Sequence, residues 1–181
     1  MNPEIRRKDR VMKMSRDMEM LLEEAAIGRL AVTTTDGPYV VPVNYLFFEG
    51  NIYFHCAMSG RKIQAIQNDA RVCFLVDEVG PQVLWERGCG ISQIYRSVIC
   101  FGQAEFVEDA MEKRAILERM IGKYVPTSHP MSDHHIERTG VVKIVVETMS
   151  GKAHDLSPSH TVIVNRFRPA ESAEDPQPDP T

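Results

Sequence analysis

The stretch from Tyr39 to Gln67, YVVPVNYLFFEGNIYFHCAMSGRKIQAIQ, constrains the fold more than any other part of this chain. Two runs of aromatic and β-branched residues flank Glu49-Gly50-Asn51, and the second run ends in His55-Cys56. Apolar segments around a short Gly-containing turn predict a β-hairpin. Pro42 removes a ladder donor from the first strand, so that strand belongs at a sheet edge or at a bulge. A bulge would re-aim the backbone of Pro42-Val43-Asn44. Beyond the hairpin, Ile63 and Ile66 suit a short helix with Ser59 as its N-cap. Free amides at that helix start then lie with the cations Arg61 and Lys62 where the second strand stops, an arrangement that favours a dianion. The same residues also suit an ordinary strand-to-helix turn with two solvated cations. This segment alone does not decide between the two.

The rest of the chain supplies more strands than helices. Ser15 caps a predicted helix whose Met18, Leu21, Leu22 and Ala25 fall at helical spacing, with Gly28 as its stop. Arg29–Thr34 predicts a strand closed by the Asp36-Gly37 turn. Arg71–Val76 (RVCFLV) predicts a buried strand, followed by a glycine-rich loop over residues 77–92 that holds Trp85. Tyr95–Val107 predicts a long strand with a bend or bulge at Gly102. Asp109 and Glu112 form a capping-box pattern for a helix ended by Pro126. Residues 125–138 read as a polar connection, Gly140–Thr148 as the last firm strand, and Thr161–Val164 as one more short strand. The chain therefore divides into a domain over 1–168 and an acidic, proline-rich tail over 169–181, expected to be disordered. Five or six strands without βαβ alternation argue for a mainly β, antiparallel barrel with peripheral helices.

A chain of 181 residues is long enough for one domain with a real core. A net charge of -4 does not suggest a nucleic-acid surface. No apolar run approaches the roughly 20 residues of a membrane span. The N-terminus has early positive charge but no apolar region behind it, so a cytoplasmic location is expected. Cys56, Cys73 and Cys100 lie in strand-like runs and Cys89 between two glycines, the pattern of reduced thiols. His129, His134 and His135 form no metal set, because adjacent histidines on a regular element point apart.

Five segments in register resemble the pyridoxamine-phosphate-oxidase-like FMN-binding split barrels, and within them the Nim group of nitroimidazole-resistance-type flavoproteins. They are RRKDR, AAIGRLAVTTTDGPYVVPVNYLFFEGNIYFHCAMSGRKIQAI, RVCFLV, YRSVICFGQAEFV and the late strand into MSGKA, over residues 4–153. The resemblance implies a six-stranded antiparallel Greek-key split β-barrel. It also implies a homodimer with FMN (or FAD) in two clefts between subunits. Backbone groups of Val41, Pro42, Val43 and Asn44 would meet the isoalloxazine ring, and His55, Cys56 and Ala57 would line it. Ser59, Gly60, Arg61 and Lys62 would hold the phosphate, with Ser97 near the phosphate or ribityl chain and Trp85 reaching the partner's cleft. His55 is implied as a proton donor or as support for a reduced flavin or substrate anion. Cys56 and Lys152 read more simply as a buried thiol and a solvated lysine.

The function implied is a flavin-dependent reductase that takes electrons from NAD(P)H or another donor and passes them to a small acceptor such as a nitroimidazole. The alternative is a non-enzymatic flavin- or haem-binding protein on the same barrel. The pyridoxamine-phosphate oxidase reaction itself fits less well, because the C-terminal tail is acidic and supplies no basic substrate residues.

Overall fold

A computed structural model describes residues 6–84, 91–125, 131–154 and 161–163. Helix α1 (Ser15–Glu24) precedes four short strands: β1 (Gly28–Thr34), β2 (Gly37–Val43), β3 (Tyr45–Phe48) and β4 (Asn51–Cys56). Helix α2 (Arg61–Asn68) leads into the long strands β5 (Arg71–Leu84) and β6 (Ile91–Phe106). Helices α3 (Ala110–Tyr124) and α4 (Asp133–Arg138) then precede β7 (Gly140–His154) and β8 (Thr161–Ile163). Seven strands follow the order β2-β1-β5-β6-β7-β4-β3, and β8 pairs with β5 off that path. Every pairing is antiparallel. The expected barrel architecture stands, with seven strands on the path in place of six and with β2 and β3 as its two open ends.

The strand alternation sorts residues onto two faces. One register row runs Val41, Leu30, Phe74, Cys100, Met149 and faces inward. Leu30, Phe74 and Cys100 in that row are fully buried. The next row, Val40, Ala31, Cys73, Phe101, lies on the opposite face. Strand β4 is buried from both sides. Ile52 and Phe54 join the main core, whereas Tyr53 joins a second core with Ile116, Leu117 and Met120 of α3 and Ile136 of α4. The face of β4 that carries Tyr53 also carries His55, and that face is the one α3 covers.

Several expectations need correction. The apolar run from Tyr39 to Phe48 is two strands, because Asn44 separates β2, paired only with β1, from β3, paired only with β4. One residue thus joins the two ends of the sheet, and Pro42 sits on an edge strand as its missing donor requires. The hairpin turn holds, with Glu49 and Gly50 both at positive φ (50° and 74°), the backbone of a type I′ turn. Residues 77–92 are largely strand, since β5 and β6 extend toward each other to Leu84 and Ile91. Gly28 opens β1, and α1 stops four residues earlier. The connection after α3 contains α4. The bulge at Gly102 is present as a register shift between Phe101 and Gly102. Asp109 caps α3 by accepting from the amides of Met111 and Glu112.

Candidate functional site

The site begins at the N-terminus of α2. Ser59 does not cap this helix; Gly60 holds the N-cap position, at φ 132°, and no side chain bonds to the first turn. Such a φ suits glycine, and an uncapped start leaves the first amides free of side-chain acceptors. The carbonyl of Gly60 already accepts from the amides of Ile63 and Gln64, which closes the first turn. Ile63, Ala65 and Ile66 anchor the helix in the core and fix where its start points.

The two cations part ways. The Arg61 guanidinium reaches back to the β1–β2 turn, 3.2 Å from Asp36 Oδ2, and lies over the Tyr39 ring at 4.7 Å. Both partners of that ion pair are more than half exposed, so it contributes little. Lys62 points the other way, with its Nζ 5.9 Å from the Phe54 ring centroid. Among the described residues no carboxylate pairs with it. Its charge acts on both His55 and Cys56. Burial pushes the Cys56 thiol up, with Lys62 and Lys113 opposing, which marks a protonated packing thiol more than a nucleophile.

His55 lies opposite Asn44, one step past the Tyr45–Phe54 pair, and both line a cleft of about 240 Å³. Leu117, Met120 and Ile121 of α3 and Met131 close its apolar side. Nδ1 of His55 is 3.2 Å from the Met120 sulfur. A thioether can only accept, so the ring donates from Nδ1 and carries no proton on Nε2 when neutral. Burial first, and Lys62 second, lower the His55 pKa below its ordinary value of 6.5, which favours the neutral ring. The Tyr124 hydroxyl at the same cleft is occupied: it accepts from Tyr45 N and lies 2.8 Å from the carbonyls of Ala26 and Tyr45.

Other residues named from sequence are placed as follows. The side chains of Val41 and Val43 turn into the core. The backbone of β2 is open along its free edge, which has no strand partner among the described residues. Ala57 lines a smaller cleft of about 170 Å³ with Cys56, Met58 and Lys113. Ser97 pairs with Asp77 and Lys152 near the Arg29 end of β1, whereas Arg61 reaches Thr34 at the other end. One chain therefore does not bring Ser97 to the α2 start. Lys152 is half-buried and bridges to Val11 of the N-terminal arm. Trp85, Cys89 and His129 lie outside the described residues, as does the tail over 169–181. Sequence reasoning missed Met120 and Tyr124 of α3, and Asp36, which read only as a turn former.

A sheet path that splits at one residue, Asn44, and stays open at β2 and β3 defines an open split barrel. The chain belongs to the pyridoxamine 5′-phosphate oxidase family, whose description matches residues 15–153. Solved structures extend the likeness. A candidate 5-nitroimidazole antibiotic resistance protein from Bacteroides thetaiotaomicron is 29% identical with a TM-score of 0.70, covering 78% of this chain and 85% of that one. The flavocytochrome Anf3 from Azotobacter vinelandii shares the fold at 20% identity and a TM-score of 0.80, over 98% and 89% of the two chains. A FAD and haem binding protein from Mycobacterium smegmatis does so at 14% identity and 0.73, over 94% of each. Among curated proteins no sequence matches this chain.

Proposed function

We propose that this chain is an FMN-dependent oxidoreductase that reduces a small acceptor, of which a nitroimidazole is one example, with electrons from NAD(P)H or another donor. The observation that carries this reading is Lys62: a half-buried ammonium with no carboxylate partner among the described residues, beside an uncapped helix start and the end of β4. Those are the groups a phosphate dianion requires. The cradle suits the terminal phosphate of FMN, and FAD, which carries the same ring on a diphosphate, is the alternative cofactor.

When bound, a flavin accepts a hydride and delivers electrons to an acceptor. The chain's own residues have separate tasks. Lys62 and the α2 amides hold the phosphate. The unpaired edge of β2 at Val41, Pro42, Val43 and Asn44 offers backbone groups to the ring. His55, neutral and free at Nε2, exchanges a proton with whatever occupies its cleft.

We further propose that the protein works as a homodimer. The outward row Val40, Ala31, Cys73, Phe101 is flanked by the row Pro42, Arg29, Leu75, Ile99, and Val40 and Phe101 are 58% and 38% exposed.

The test is a titration of purified protein with FMN, followed by flavin fluorescence, then anaerobic addition of NADH or NADPH. Tight, saturable quenching followed by bleaching of the flavin band is expected. Absence of FMN binding at micromolar protein would overturn the reading.

A further inference from the structure

A second cleft lies where the Arg61 side chain goes, between α2 and the β1–β2 turn, with a volume of about 420 Å³. That size falls within the ~300–1,000 Å³ of small-molecule sites. One wall is α2, where Arg61, Gln64 and Asn68 recur at intervals of three and four and so share one face of the helix. Ala65 stands on the same face and is buried, the one apolar residue of the lining among those described. The opposite wall is the end of β1 and the turn after it, with Thr34, Thr35 and Asp36. The lining holds no aromatic and no large aliphatic side chain, so it offers a flavin ring no apolar slot.

The polar groups change in kind along the helix. At its start, the Arg61 guanidinium is held by Asp36 at 3.2 Å and by a long 3.5 Å contact to Thr34 Oγ1. Both partners of the ion pair are more than half exposed, so a phosphate can displace this contact. Beside it, the Asp36 carboxylate accepts, and the Thr35 hydroxyl accepts and donates, as a ribose diol requires. Further along, the side-chain amides of Gln64, Gln67 and Asn68 have no hydrogen-bond partner among the described residues. An amide presents a donor and an acceptor together, the pair that matches the N6 and N7 edge of adenine. One guanidinium suits one phosphate, and Asp36 in the same lining repels a longer polyphosphate.

The cleft adjoins the cradle at Lys62. Arg61 belongs to both, as the first residue of α2 and as part of this lining. Its guanidinium lies over Tyr39, between the start of β2 at Gly37 and its end at Val43. We propose that this cleft binds the adenosine 5′-phosphate half of a dinucleotide. Arg61 takes the phosphate, Asp36 and Thr35 the ribose, and Gln64 with Asn68 the adenine edge. The proposal deepens the proposed function, and it rests on that reading only for the other half, a flavin phosphate at Lys62. With both halves seated, FAD is the preferred form of the cofactor. NADH carries the same adenosine half, so the two sources need separate arms.

The first titration needs no flavin. Calorimetry on the full chain, free of cofactor, compares AMP with adenosine, GMP and inorganic phosphate. AMP is expected to bind more tightly than adenosine or phosphate, and about fivefold or more above GMP, the least that an amide on a purine edge contributes. Replacing Gln64→Ala and Asn68→Ala together should weaken AMP about tenfold and abolish its advantage over GMP. Both positions are exposed on a helix, where alanine is favourable, so the variant folds. Arg61→Ala should bring AMP down to the level of adenosine. In the second titration, FAD should bind the wild type about tenfold or more above FMN, and the Gln64/Asn68 variant no better than FMN. Equal FAD and FMN affinities with displacement of AMP by NADH would assign the adenosine half to the electron donor; without that displacement the proposal falls. AMP that fails to bind at millimolar concentration, binds no better than phosphate, or ignores the double substitution would overturn it, whatever FMN does. A chain that binds AMP but no flavin would keep this cleft and lose the FMN reading.

Discussion

Tyr124 and Tyr45 are joined by a closed pair of contacts: the Tyr124 hydroxyl accepts from the backbone amide of Tyr45 and lies 2.8 Å from its carbonyl. Tyr45 is the first residue of β3, directly after Asn44, where the sheet splits. The hydroxyl does what a neighbouring strand would do there. It satisfies backbone groups that lost their ladder partner, and it ties α3 to the split.

Removing that hydroxyl leaves a buried amide without an acceptor. Tyr124→Phe is expected to lower unfolding free energy by about 1–3 kcal/mol, the cost of an unsatisfied buried donor. Urea unfolding measures it, and a change below about 0.5 kcal/mol, the range of inert surface substitutions, would contradict the role given to the hydroxyl.

The divergence of Arg61 and Lys62 predicts unequal effects on flavin binding. Lys62→Ala should weaken FMN by about tenfold or more, as loss of a charge-assisted bond implies. Arg61→Ala should cost less, since its guanidinium already spends time on Asp36. Asp36→Ala should leave affinity unchanged or improve it by releasing Arg61. Flavin fluorescence quenching ranks the three, and a reversed order would remove Lys62 from the cradle.

The outward face predicts the oligomer. Phe101→Glu places a charge at the end of the apolar row and should convert a dimer to monomers in sedimentation, with FMN lost at the same time. A variant that stays dimeric would move the interface elsewhere.

Two glycines separate close packing from mere propensity. At Gly102 a Cβ would fall on the Val145 carbonyl, so Gly102→Ala must move backbone at the bulge and should cost about 1–3 kcal/mol. At Gly122, exposed on α3, a Cβ meets nothing within 4 Å, and Gly122→Ala should raise stability by about 0.4–1 kcal/mol. Paired urea melts decide both signs.

Lys123 predicts a pH dependence. Its Nζ donates to the Ala25 carbonyl at 2.9 Å and lies 4.0 Å from the Tyr45 ring centroid, and burial pushes its pKa down to about 8. The unfolded chain binds this proton up to about pH 10.4, so between the two values the unfolded state holds more protons. Stability contributed by Lys123 must then rise as pH rises from about 8 to about 10.4. The Cys100 thiol, pushed up to about 12 by burial, acts oppositely above its ordinary value of 9.0. The difference between wild type and Lys123→Met isolates the lysine; a difference flat across that interval would show that its proton is not displaced.

Local pattern revealed most elements because each rests on neighbours in sequence. The type I′ turn at Glu49-Gly50, the Asp109 cap, the bulge at Gly102 and the edge position of Pro42 all follow from residues a few positions apart. The long extensions of β5 and β6 were hidden because Gly80-Pro81 punctuates β5, where a register shift between Val79 and Gln82 absorbs it.

By itself, then, the sequence determined an antiparallel, mainly β domain and the approach of two cations to a helix start, since periodicity and turn chemistry act over short range. Tertiary structure alone decided that YVVPVNYLFF is cut at Asn44 and sent to both ends of one sheet. It alone set Met120 against His55 across 65 positions. No local rule could supply either, because each depends on which distant segment lies alongside: β1 or β4 for the cut strand, and α3 for the histidine.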